Sequence, residues 1–183
     1  MTELALLAEE VGVSERTLRR AVDQGTLRAS RATPRTLQLA LSERHYIRRS
    51  WSLLAILRAA LRTEQNVRFA LLFGSASTGT DTATSDLDVL VNLRDPGLER
   101  VVDLGAKLTS VVGRPCDIVR LQDALREPSF LGDIVAEGRV LVDRDQRWSR
   151  LRRQGPALRR RGHQQEPQRA EAALSGIDEM LPA

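Results

Sequence analysis

The chain has 183 residues, 42% of them hydrophobic and 28% charged, proportions that suit one or two folded domains and exclude wholesale disorder. The formal net charge is +4 and Lys107 is the only lysine, so arginine, whose rigid donor fork suits phosphate and carboxylate, carries nearly all the positive charge; genome composition is the alternative cause. No stretch approaches the roughly 18 apolar residues of a membrane span, Met1-Thr2-Glu3 lacks the basic start of a secretory signal, and Cys116 has no disulfide partner, so a soluble cytoplasmic protein is expected.

Leu4, Leu7, Ala8 and Val11 recur at helical spacing, Gly12-Val13-Ser14 breaks the pattern, and a second helical run follows from Glu15 to Asp23. Ser14 is placed to cap that second helix and Gly25 to stop it, while Leu18 and Val22 face inward. The outward side carries Arg16, Arg19 and Arg20, where a helix-turn-helix protein presents its recognition residues to DNA. A small helical hairpin with a solvated basic face is the alternative. The polar stretch from Thr26 to Arg35 could lie as a wing on a phosphate backbone. Gly25-Thr26-Leu27 before a basic wing resembles the start of MerR-type regulators, over Leu4 to Arg35 only.

Leu37, Leu41, Ile47, Trp51, Leu54 and Leu57, with no Gly or Pro between Leu37 and Arg62, predict one or two linking helices, with Ser42 as a cap. Strand-length apolar runs follow at Val67 to Phe73, Asp86 to Asn92, Pro115 to Leu121 and Arg139 to Asp143. Helical patterns lie between them at Gly97 to Val112 and around Phe130 to Val135. The expected fold is therefore α+β or α/β, a small mixed sheet with flanking helices, preceded by an all-α helix-turn-helix domain. Expected boundaries are 1–35, 36–64, 65–143 and 144–183. The last segment holds nine arginines between Arg144 and Arg169 and reads as a basic tail without a packed core, with a terminal helix from Pro167 to Leu181. Cys116 reads as a small buried strand residue, because His45 and His163 lie in remote segments.

Chemistry concentrates between residues 72 and 91. Asp86 and Asp88, two apart in a strand, point to one face about 6 to 7 Å apart, and hard oxygen ligands so placed suit Mg²⁺. Gly74 lets phosphate approach the backbone, the amides at a following helix start favour an anion, and the Ser75 hydroxyl can donate. Asp117 opens the next strand, where a carboxylate is costly to bury without a partner.

The combination of an apolar strand, Gly74-Ser75, Gly79 and Ser85-Asp86-Leu87-Asp88 resembles the nucleotidyltransferases of the DNA polymerase β superfamily, and the spacing fits the minimal, antitoxin-type members. The resemblance covers about Val67 to Asp143. It implies that Gly74, Ser75, Gly79 and Ser85 bind the nucleotide. It implies further that Asp86, Asp88 and Asp117 are catalytic and hold two Mg²⁺ ions, with Asp117 also activating the attacking hydroxyl. ATP is the implied substrate, and a HEPN-type toxin protein, which minimal members modify with AMP, is the implied partner. The basic tail in place of a substrate domain agrees with a minimal member, and the N-terminal helices agree with an antitoxin that represses its own operator DNA. Thr78 departs from the pattern, since many minimal members carry arginine before the second glycine; Arg114 or Arg120 would then have to supply that charge. The alternatives are a transcriptional regulator with a catalytically weak nucleotide-sensing domain, or nucleotidyl transfer to tRNA or a small molecule. Self-association stays open.

Overall fold

The computed structural model describes residues 2–33 and 36–161. Two short helices, α1 (Glu3–Glu10) and α2 (Glu15–Asp23), lead into an antiparallel hairpin of β1 (Ser30–Thr33) and β2 (Thr36–Gln38), then into a 23-residue helix, α3 (Leu41–Thr63). Strands β3 (Val67–Phe73), β4 (Leu87–Leu93), β5 (Cys116–Arg120) and β6 (Arg139–Asp143) interleave with helices α4 (Ser75–Thr78), α5 (Leu98–Val112), α6 (Leu121–Ala124) and α7 (Pro128–Glu137). A further helix, α8, spans 147–161.

The four longer strands form one mixed sheet in the order β5-β4-β3-β6. β3 runs antiparallel to both neighbours, whereas β4 and β5, joined through α5, are parallel. The apolar run from Phe69 to Phe73 within β3 reflects burial on both faces. Ala70 and Leu72 join the core beneath α3 and α5, while Phe69, Leu71 and Phe73 join a second core with residues of α6, α7 and α8. The expected small mixed sheet with flanking helices is therefore present.

The N-terminal segment differs from an all-α domain in two respects. The stretch anticipated as a wing folds as the β1–β2 hairpin. Leu4, Leu7, Ala8, Leu18 and Ala21 also share a continuous core with Tyr46, Ile47 and Leu54 of α3, so the helices bury their apolar stripes against the rest of the chain. The expected α2 signals hold: the Ser14 hydroxyl accepts from the Thr17 amide at 3.1 Å, and Gly25 at φ +80° lets the Thr26 amide reach the Ala21 carbonyl at 2.9 Å. Ser42 does not cap α3, which starts one residue before it, with Ala40 at the cap position and no side-chain cap bond.

The segment after β6 also departs from expectation. In α8, Leu151 is buried, and Trp148 and Leu158 pack against the core around Phe69 and Leu131. Residues 148, 151, 155 and 158 form a helical stripe that the arginine-rich composition obscured. The helix anticipated from Pro167 to Leu181 lies outside the described residues.

A buried polar cluster ties these layers together. Arg139, 1% exposed, donates to Glu43 Oε1 and Oε2 at 2.6 and 2.8 Å and to the Ser77 carbonyl at 2.6 Å. Its guanidinium carbon stands 3.4 Å from the centre of the Tyr46 ring, and the Tyr46 hydroxyl donates to the Ala76 carbonyl at 3.0 Å. The Thr26 hydroxyl donates to the Val140 carbonyl at 2.7 Å. Residues from the N-terminal segment, α3, α4 and β6 thus meet at one satisfied charge pair.

Candidate active site

β3 ends at Phe73, and Gly74 then turns the chain with φ +67° and ψ −157°, a conformation that disfavours any side chain, before the single turn of α4. A Cβ on Gly74 would lie 3.3 Å from Asp88 Cγ and closer still to Oδ2, so the Asp88 carboxylate rests against the Gly74 backbone. Ser75 occupies the first helical position, where main-chain amides lack acceptors within the helix. Gly79 closes α4 at φ +83°, and a Cβ there would meet the Tyr46 ring at 3.0 Å.

β4 begins at Leu87, so Asp86 stands one residue before the strand rather than inside it. Asp88 pairs in register with Phe73 on the antiparallel side and with Asp117 on the parallel side. Directly paired residues project to the same face. Asp88 is half-buried, while Asp86 and Asp117 are exposed. Burial pushes the Asp88 carboxyl above its ordinary value, and the negative charges of Asp117 and Asp86 push it the same way. The charges of Asp117 and Asp86 therefore bear on Asp88, and a cation beside it would offset them.

Among the described residues no group of three or more His, Cys, Asp or Glu side chains is gathered as a finished ion cage. Mg²⁺ is usually held by one or two carboxylates completed by water and substrate phosphates. Hard oxygens on an open shelf, with Asp88 and Asp117 paired, fit that donor set. The cavity of about 1050 Å³ bordered by Leu27, Arg28, Trp148 and Arg159 includes none of these carboxylates in its lining.

The loop that presents Asp86 is held by Asp81 and Arg49, which the sequence did not single out, and by Arg114 and Ser85 in roles it did not anticipate. Asp81, 8% exposed, accepts from Arg114 at 2.8 Å and from Arg49 at 3.3 Å. Arg114 also donates to the Ser85 carbonyl at 2.9 and 2.6 Å, and Arg49 to the Gly79 carbonyl at 2.6 Å. The Ser85 hydroxyl accepts from the Thr82 amide at 2.9 Å and so serves the loop itself. Asp81 sits in a threonine-rich stretch with no spacing signal, and its role emerges only when the loop folds onto α3 and the start of β5.

Neither arginine considered as a substitute for the charge absent at Thr78 is free. Arg114 is engaged as above, and Arg120 donates to Asp123 at 2.6 Å. The Thr78 hydroxyl donates to the Ser75 carbonyl at 3.0 Å. On α2, Arg16 and Arg20 are exposed, whereas Arg19 pairs with Glu15 at 2.8 Å. Cys116, 9% exposed, is the small buried strand residue expected. Among the described residues no helix is long and apolar enough to cross a membrane.

The profile of the family described as "Polymerase beta, Nucleotidyltransferase" matches residues 56–147, a span that contains the Gly74 turn and all three aspartates. Among solved structures, the chain is similar to one in a toxin-antitoxin crystal structure with AMP-PNP, at 24% identity and a TM-score of 0.48, covering 73% of this chain and 99% of that one. It is also similar to one in a complex of tri-AMPylated Shewanella oneidensis HEPN toxin with MNT antitoxin, at 20% identity and a TM-score of 0.46, covering 70% and 99%. No curated protein matches the chain.

Proposed function

The chain belongs to the polymerase beta nucleotidyltransferase family, and on that premise we propose that it is a metal-dependent nucleotidyltransferase that moves AMP from ATP to a hydroxyl of a protein partner, with pyrophosphate as the leaving group. The observation that carries this reading is the pairing of Asp88 with Asp117 across β4 and β5, with the Asp88 carboxylate against the Gly74 backbone. Asp86, Asp88 and Asp117 would hold two Mg²⁺ ions, which supply charge neutralisation on the triphosphate and in-line geometry for the transfer.

The chain's own residues do the rest. Gly74 admits the phosphates close to the main chain, and the Ser75 hydroxyl and the amides beside it donate to phosphate oxygens. Asp117, exposed at the start of β5, accepts the proton of the attacking hydroxyl. Phe130 is 42% exposed and meets Phe73 edge-on at 5.9 Å, which offers an aromatic surface to the adenine. Arg114, Arg49 and Asp81 fix the loop before β4 and so fix the position of Asp86.

A HEPN-type toxin is the acceptor we favour, because the short signature from Gly74 to Asp88 resembles the minimal, antitoxin-type members. Arg16 and Arg20 on α2, with the β1–β2 hairpin as a wing, support a second task in contacting operator DNA. The test is incubation of the full chain with α-labelled ATP, Mg²⁺ and the protein encoded beside it. Label on that protein is expected; no label with any of the four nucleotides refutes transfer, and label only on RNA or a small molecule reassigns the acceptor.

A second reading has one observation in its favour. Thr78 stands where many minimal members carry arginine, and the nearby cations Arg49, Arg114 and Arg120 are all engaged. A regulator that senses nucleotide while transferring it weakly would show saturable ATP binding but negligible label.

A further inference from the structure

At the edge of the sheet opposite β5, the flank of β6, α2 and the end of α3 enclose a cavity of about 510 Å³, within the range of small-ligand sites. Arg20, Arg58, Arg62 and Arg144 line it together. Among the described residues none of these four takes part in an ion pair. Arg144 donates to the carbonyls of Gln65 and Arg62 at 3.2 and 2.8 Å, and Arg58 donates to the Gln24 side chain, all of them neutral acceptors.

Two carboxylates also reach the lining, but both are engaged elsewhere. Asp23 pairs with Arg31. Asp143 accepts from the amides of Arg147 and Trp148 at 2.8 and 3.0 Å and so caps α8. With Asp23 paired to Arg31, the four guanidinium groups outnumber the one remaining carboxylate, Asp143, and the lining keeps an excess of positive charge.

Arg58 makes that excess costly. It is 9% exposed, and its Nε is buried with no hydrogen-bond partner. Burial, together with the positive charges of Arg62 and Arg20, pushes its pKa down to about 10, which leaves it charged at neutral pH. A buried donor without a partner and clustered like charges both oppose folding. An anion held there would offset both costs.

We propose that this cavity is a binding site for a small phosphate-bearing anion, separate from the catalytic carboxylates. Several guanidinium groups around one cavity match the several oxygens and multiple charges of a phosphate or pyrophosphate group better than a single carboxylate. The recess of Arg58 between α2 and β6 favours a free small molecule over the continuous backbone of a nucleic acid.

The test is calorimetric titration of inorganic pyrophosphate into the full-length protein, with divalent metal removed so that the carboxylates recruit no phosphate. One saturable site is expected, weakened by salt. Arg62→Gln changes an exposed side chain outside the core and should weaken binding about tenfold, with a larger loss for Arg58→Met. Asp86→Asn should leave the affinity within about twofold. The proposal is overturned by the absence of saturable binding, by affinity unchanged in Arg62→Gln, or by loss of binding in Asp86→Asn. Binding of duplex DNA that pyrophosphate does not displace, with no saturable pyrophosphate site, also overturns it.

Discussion

The backbone of Gly74 and the carboxylate of Asp88 are in such close contact that no side chain fits between them. A Cβ at Gly74 would lie 3.3 Å from Asp88 Cγ and nearer to Oδ2, at a φ of +67° that already disfavours alanine. Gly74→Ala should therefore displace Asp88 from the position its pairing with Asp117 defines. A displacement of about 1 Å at a reacting centre can lower the rate about 10²-fold. The expected outcome is a fall of that order in kcat/KM, with backbone strain of about 1 to 3 kcal/mol lowering the melting temperature. Full activity in a folded Gly74→Ala protein would show that the turn does not position the carboxylate.

Asp88 should show opposed effects on stability and activity. Its carboxyl is raised by burial first and then by Asp117 and Asp86, so without metal its charge opposes folding. Asp88→Asn removes that charge at nearly constant volume. The melting temperature of the metal-free protein should stay level or rise, while nucleotidyl transfer falls at least about 10²-fold. Thermal unfolding with and without Mg²⁺ separates the two effects, because only the wild-type chain should gain stability from the ion.

Arg139 and Glu43 form the buried pair that joins β6 to α3. Arg139→Met leaves Glu43 charged and largely surrounded by protein, and breaking a buried pair in this way costs about 3 to 5 kcal/mol. Replacing both, as Arg139→Met with Glu43→Leu, removes the stranded charge and should recover much of the loss. The recovery will be incomplete, because Arg139 also serves the Ser77 carbonyl and Glu43 also accepts from the Arg28 amide at 2.9 Å. Denaturant unfolding of the two singles and the double gives the coupling energy; additive losses would mean that the pair contributes nothing of its own.

This cluster marks where sequence reasoning loses reach. β3 was legible to the residue because the apolar run from Phe69 to Phe73, closed by a glycine, has few alternatives; Gly74 was legible as the turn that follows it, and Asp88 and Asp117 as acidic residues near the starts of the next two strands. Glu43, Arg139 and Asp81 carry no such periodicity. Their partners lie 96 residues apart for Glu43 and Arg139 and 33 apart for Asp81 and Arg114, and a charge destined for burial looks in sequence like a charge destined for water. The packing of α8 was hidden for a related reason, since frequent arginines mask the stripe of Trp148, Leu151 and Leu158.

Tyr46 provides a spectroscopic reading of the same cluster, because it is the single tyrosine in the chain. Free tyrosine ionises near pH 10, whereas burial, assisted by the charge of Glu43 and opposed by that of Arg139, pushes the Tyr46 hydroxyl up to about 12. Between those values the unfolded chain gives up a proton that the folded chain retains. This contribution to stability is therefore intact below about pH 10 and is lost as the pH rises towards 12, a change on the order of 2 to 3 kcal/mol. In an alkaline titration, phenolate absorption should remain absent through pH 10 and then develop together with the loss of circular dichroism. A reversible midpoint near pH 10 in protein that keeps its helical signal would mean that the Tyr46 hydroxyl meets solvent and does not hold the Ala76 carbonyl of the turn beside Gly74.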